Sequence, residues 1–195
     1  MTVLRSVLYM PSSNERALEK AKSIAADAII FDLEDAVAPD AKDAARDNAV
    51  AAVGSGEYGG RTLTIRCNGL DTPWGASDLE AAAKAGPAAV VVPKVSGADH
   101  LATVAAITGD TPIWAMVETP IGMLNALSIA TASERLTGFV MGTNDLVKEL
   151  YAEHVPGRAP VLPSLHTALL AARAAGVSTI AQIGVSPVIA VTFAR

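Results

Sequence analysis

The chain has 195 residues, 51% hydrophobic and 18% charged, and its 15 Lys+Arg against 20 Asp+Glu leave a formal charge of −5. That length suits one domain of ordinary size, and the apolar content excludes a disordered acidic chain. An acidic balance without a basic cluster excludes nucleic-acid binding as the main role, while a small anionic substrate, which needs only a local cationic pocket, stays open.

In chain order, the first strand is expected in VLRSVLYM, then a helix in NERALEKAKSIAA with Asn14 as N-cap. AIIFDLED reads as a strand, AKDAARDNAVAAV as a helix, and TLTIRCN as a strand. SDLEAAAKAG reads as a helix capped by Ser77 and closed by Gly86. AAVVVPKV, PIWAMVET and LTGFVMGTND are further strands, separated by helices in GADHLATVAAITG and PIGMLNALSIATAS. SLHTALLAARAAG is the last helix, and VSTIAQI a candidate seventh strand. The strands are continuous apolar runs, as in a parallel sheet buried on both faces.

Alternating strands and helices define an α/β class, which a doubly wound sheet and a (β/α)8 barrel both satisfy. Polar groups stand where successive strands end: Asp32, Glu34 and Asp35; Arg66 and Asn68; Lys94; Glu118; Asp145. In a parallel barrel all these ends share one face, which favours the barrel. No Gly-rich phosphate loop follows the first strand. Six to seven strands fall short of eight, and a complete barrel usually needs ~250 residues, so the expected fold is an incomplete TIM-type barrel with an open strand edge.

The single cysteine, Cys67, cannot form an internal disulfide and suits a reducing, cytoplasmic setting. No secretory signal is expected in MTVLRSVLYMPSSNER, and no apolar stretch long enough to span a membrane precedes the C-terminal piece. From Ala174 onward no charged side chain occurs until Arg195.

Glu118 and Asp145 are the first candidates for chemistry. Two carboxylates on neighbouring barrel strands can bind one Mg²⁺ and leave positions for water and substrate; as helix N-caps or loop acids they would be structural. The absence of a His/Cys cluster argues against zinc. Arg66 ends an apolar strand, where it must face a ligand carboxylate or an ion pair with Glu118 or the DLED acids. Asp32, Glu34 and Asp35 can hold Arg66, orient metal-bound water, exchange protons, or balance buried cations. Lys94 is either a Schiff-base amine or an anchor for the DLED acids. His100, His154 and His166 lie away from the strand ends. Cys67 points opposite to Arg66 along its strand and reads as packing. Ser12 and Ser13 suit a turn, Asn68 and Gly69 another, and Trp74 can wall the mouth.

RSVLYMPSSNERALEKA, FDLEDAVAPDAKDAAR, TIRCNGLDTPW, VVVPKV, VETPIGMLNA and FVMGTNDLVKEL occur in order across about residues 4–176. Together they resemble the citrate lyase β-subunit-like CoA-ester lyases of the HpcH/HpaI aldolase superfamily. The resemblance implies a Mg²⁺-dependent barrel that cleaves or forms a carbon–carbon bond in a 3-hydroxyacyl-CoA thioester such as citryl-CoA or malyl-CoA. The products are acetyl-CoA and a 2-oxo acid. It implies Glu118 and Asp145 as metal ligands, with Glu118 also bounding the substrate. Arg66 would be the substrate-binding and enolate-stabilising group, and Glu34 and Asp35 acids behind the site. It also implies a homo-oligomer, trimer or hexamer, with no nucleic-acid or membrane partner.

Two departures are visible. Ser12 stands where the family commonly has Gly, and after Gly176 the LDG-like segment and last quarter of the family barrel have no counterpart. Residues 1–176 thus read as a partial lyase-like domain and 177–195 as a tail unlike the family, the mark of a truncated or frame-shifted product with weak stability. A CoA-independent aldolase on hydroxy-oxo acids and an inactive homologue remain the alternatives.

Overall fold

The computed structural model describes residues 4–180 and the backbone of residues 181–182 and 190–191. Seven parallel strands follow one another around a barrel: β1 (Val7–Pro11), β2 (Ala28–Asp32), β3 (Thr62–Arg66), β4 (Ala89–Val92), β5 (Ile113–Val117), β6 (Leu136–Met141) and β7 (Ser178–Gln182). Between them lie α1 (Glu15–Ala21), α2 (Lys42–Gly54), α3 (Gly75–Ala85), α4 (Ala98–Thr108), α5 (Pro120–Leu124), α6 (Ala126–Ala130), α7 (Thr143–Glu149) and α8 (Leu162–Ala175). The incomplete α/β barrel expected from the sequence is therefore present. Its seam differs from expectation. β8 (Ala190–Val191) runs antiparallel to both neighbours, pairing Ala190 with Val7 and with Gln182, where a complete barrel would place a parallel strand. The expected open edge is thus bridged by two residues. The remainder of the tail, 183–189 and 192–195, lies outside the described residues.

The core has two parts, as continuous apolar strands require. Inside the barrel, Val7, Ile30, Val91, Trp114, Met116 and Val140 form one buried cluster. The opposite strand faces, including Ile29, Phe31, Ile65, Val90 and Phe139, form a second with the helices. The helices contribute small residues: α2 buries Ala45, Ala49 and Ala52, and α8 buries Ala168, Ala171 and Ala172. Spacings of three and four put these on one stripe and let the helices lie close to the sheet.

Asn14 caps α1 by accepting from the Ala17 N–H, and Gly86 ends α3 in the left-handed region. Ser77 is not the cap of α3, which begins at Gly75 with no side-chain cap. The single helix expected in PIGMLNALSIATAS is broken at Asn125, whose Nδ2 donates to the Ser96 carbonyl at 2.8 Å. β6 stops at Met141, so Asp145 lies in the first turn of α7 rather than on the strand.

Trp114 fills much of one interior layer. A Cβ on Gly138, its neighbour in the β5–β6 register, would lie 2.7 Å from the indole Cδ1. Gly138→Ala is expected to destabilise the fold by about 1–3 kcal/mol, read from the urea unfolding midpoint. Adding Trp114→Phe is expected to recover part of that loss.

Candidate active site

Register builds the centre of the site. Asp32 and Arg66 are directly paired on β2 and β3, so their side chains leave the sheet on the same face, at the C-terminal end of the barrel. The pair is bidentate: Arg66 Nε donates to Asp32 Oδ1 and Nη2 to Oδ2, each at 2.6 Å. Both are buried, with Asp32 2% and Arg66 6% exposed. Burial opposes the charge on Arg66, but Asp32 outweighs it and holds the guanidinium charged. Asp32 also accepts from the Glu34 and Ala36 N–H groups, which turns the chain sharply after β2.

That turn brings all three DLED acids to Arg66. Its Nη1 lies 2.9 Å from Glu34 Oε2 and 3.3 Å from Asp35 Oδ2. The Glu34 contact is an ion pair without hydrogen-bond alignment, and Oε2 has no hydrogen-bond partner. Asp35 is 61% exposed at the mouth, whereas Glu34 is nearly buried. Behind the turn, the buried Lys42 Nζ donates to the Leu33 and Glu34 carbonyls at 2.6 and 2.7 Å and sits 5.4 Å from the Trp74 ring centroid. Asn68, buried, donates to the Leu33 carbonyl and to Asp78 Oδ2, and Asp78 also accepts from Arg46. Lys42, Asp78 and the ring of Tyr9, 5.2 Å from Arg66 Cζ, were not singled out by sequence reasoning. Tyr9 could have been found by alternation along β1, which puts Val7 and Tyr9 on the interior face.

Glu118 follows β5 directly and is 2% exposed. Its Oε1 accepts from the Lys94 N–H at 2.9 Å, which Lys94 aims by adopting a left-handed φ of 50°. A Cβ on Gly142 would collide with Glu118 Oε2, so the chain after β6 passes the carboxylate at a distance only glycine permits. Burial, then Glu34 and Asp145, push the Glu118 carboxyl up to about 8. Burial likewise pushes Glu34 up to about 7, Arg66 opposing it and Asp35 adding to it. Asp145 is half-buried.

Lys94 Nζ lies 3.6 Å from Glu34 Oε1. Burial lowers its pKa, but Glu34, Asp145, Asp35 and Glu118 raise it further, so the amine stays protonated. That is an anchor for the DLED acids and unsuited to Schiff-base attack. Cys67 is fully buried, and burial raises its thiol pKa, as packing requires. His100 lies in α4, His166 in α8 and His154 beyond α7, none at a strand end. Ser12 is buried with its N–H on the Asp32 carbonyl, in the turn after β1.

Oxygen donors whose proton affinities are raised by burial and by neighbouring acids suit a hard divalent cation. Among the described residues no three His, Cys, Asp or Glu converge on one metal position. Glu118 and Asp145 are oxygen donors of the kind Mg²⁺ takes and are the residues that could hold it. Among the described residues, no helix is long and apolar enough to cross a membrane.

Glu118 and Glu34 make stability depend on pH. Their folded pKa values exceed the ordinary 4.5, so the metal-free folded state holds protons the unfolded chain has lost. Their contribution is full below about pH 4.5 and lost as pH rises through about 7 and 8. Thermal melts in a chelator are expected to show Tm falling over this window and Glu118→Gln flattening the fall. Mg²⁺ is expected to restore Tm most above pH 8 in the parent and little in the variant.

Residues 5–188 match the family model described as HpcH/HpaI aldolase/citrate lyase. A (3S)-malyl-CoA thioesterase of Cereibacter sphaeroides is 55% identical over 176 residues, which cover 90% of this chain and 61% of the relative. The citrate lyase subunit beta of Escherichia coli K12 is 35% identical over 184 residues, covering 89% and 61%. The chain thus spans about 61% of the length of these relatives. Among solved structures, CitE of Mycobacterium tuberculosis in complex with magnesium, acetoacetate and coenzyme A superposes with a TM-score of 0.80. It is 29% identical and covers 95% of this chain and 67% of that one.

Proposed function

The chain belongs to the HpcH/HpaI aldolase/citrate lyase family, and from that premise we propose that it carries the site of a Mg²⁺-dependent lyase. The reaction is cleavage or formation of the carbon–carbon bond of a 3-hydroxyacyl-CoA thioester, such as malyl-CoA or citryl-CoA, yielding acetyl-CoA and a 2-oxo acid. The observation that carries it is the buried Arg66 fork. Asp32 occupies Nε and Nη2, which leaves Nη1 as the edge facing the mouth and the other acids.

In cleavage, the substrate hydroxyl becomes the carbonyl of the 2-oxo acid and the electron pair of the broken bond passes to the thioester enolate. Arg66 Nη1 offsets the negative charge that develops there. Glu34, close to neutrality in its proton affinity, takes the hydroxyl proton and returns a proton to the enolate carbon. Asp35 at the mouth and Lys94 behind Glu34 hold the charge pattern around that exchange. Bound at Glu118 and Asp145, Mg²⁺ would polarise the carboxylate and adjacent oxygen of the 2-oxo acid portion.

A second reading is favoured by the 55% identical relative named a (3S)-malyl-CoA thioesterase: hydrolysis of the same thioester to a free acid and CoA. A homo-oligomer also fits this protein. Ile121, Leu124 and Leu127 on α5 and α6 are 52%, 82% and 55% exposed, and Leu170 on the adjoining α8 is 72% exposed. The partners of the site would be small CoA thioesters and 2-oxo acids.

The test is malyl-CoA or citryl-CoA with Mg²⁺ and the purified chain, following acetyl-CoA, 2-oxo acid and free thiol together. Lyase action releases acetyl-CoA and oxo acid in equal amounts without thiol, and hydrolysis releases thiol without oxo acid. Glu118→Ala is expected to abolish either activity, at least a hundredfold. A folded parent that forms none of these products would defeat both readings.

A further inference from the structure

The hydroxyl of Tyr9 is buried where it costs stability and makes no bond that supports the fold. Its ring packs against the interior cluster and lies 5.2 Å from Arg66 Cζ, a cation–π distance. Its hydroxyl is buried and has no hydrogen-bond partner among the described residues. A buried polar group left unpaired is destabilising, and a phenylalanine would pack and stack the same way without that penalty. The charged groups that bear on the phenol are Arg66, Asp32, Glu118 and Glu34, the groups that build the candidate site. Each has other engagements: Asp32 takes two guanidinium bonds and two backbone N–H groups, and Glu118 Oε1 takes the Lys94 N–H. The residue as a whole is half-buried although its hydroxyl is not accessible, so part of the side chain lies at the edge of the packed interior.

We propose that Tyr9 is a substrate-binding residue whose hydroxyl donates a hydrogen bond to the anionic oxygen of a ligand seated against Arg66. The ligand class is a small carboxylate bearing an adjacent oxygen, the 2-oxo acid of the proposed reaction. The phenol remains protonated and supplies a neutral donor beside the cationic fork; no proton is transferred from it. The stacked ring keeps Arg66 Nη1 aimed at the same oxygen. This inference rests on the functional reading above and adds to it the donor that reading lacks.

The probe is oxalate, a stable mimic of a small 2-oxo acid, titrated calorimetrically in the presence of Mg²⁺ into the parent and Tyr9→Phe. Tyr9→Phe keeps the ring and removes only the hydroxyl. It is expected to keep or raise Tm, to bind Mg²⁺ alone as the parent does, and to lose roughly tenfold to a hundredfold in oxalate affinity, the range for a hydrogen bond to a charged group. Tyr9→Leu, which also removes the ring, is expected to lose more. Parent-like oxalate affinity in Tyr9→Phe overturns the proposal while leaving the functional reading intact. A folded parent that binds no oxalate with Mg²⁺ overturns the functional reading, and this proposal falls with it.

Discussion

The ion pair between Arg66 and Asp32 sets the terms for everything at the mouth of the barrel. Two charges this deeply buried are tolerated only when their geometry is near ideal and their remaining lone pairs are used. Both conditions are met: the fork is bidentate, and the carboxylate also caps two N–H groups of the following turn. The pair exists because β2 and β3 are in register at those two residues. A slip of one residue between these strands would put the two side chains on opposite faces. The turn that Asp32 caps carries Glu34 and Asp35 to the third guanidinium nitrogen, and Lys42 and Asn68 fix its carbonyls from behind. Removing Asp32 would therefore strand a buried cation and free the segment that carries the other acids.

Around that fixed cation the chain gathers more negative charge than it neutralises. Glu34 and Asp145 raise the proton affinity of Glu118, and Asp35 and Asp32 raise that of Glu34, with burial the larger cause for both. Such crowding costs stability, and proteins keep it where a bound cation offsets it. Gly142 and the left-handed Lys94 show the backbone yielding to make room for one carboxylate. The two ends of the barrel interior differ accordingly. Polar groups ring the C-terminal end, while Trp114, Val7 and Ile30 lie among the apolar residues of the interior core.

Much of this was readable from the amino acids. Continuous apolar runs gave the strands, and charged residues at their ends marked one face of a barrel, since burial of isolated charge is too costly to occur by accident. Arg66, Glu34, Asp35 and Glu118 are at that face as expected. What escaped depends on partners distant in sequence. Asn125 breaks a helix because Ser96 offers it a carbonyl. Ser77 loses its cap role because α3 starts two residues earlier. Lys42 and Asp78 sit on helices at positions that read as surface charge, and only the packing shows them buried. The antiparallel turn of β8 is set by sheet pairing that no local pattern announces.

Trp114 has a consequence for traffic. A large indole held against Gly138 helps fill one interior layer of the barrel, so that layer is packed core and not open space. For a ligand seated at Arg66 that packed layer is a floor, and the approach lies on the polar side, where Asp35 is 61% exposed.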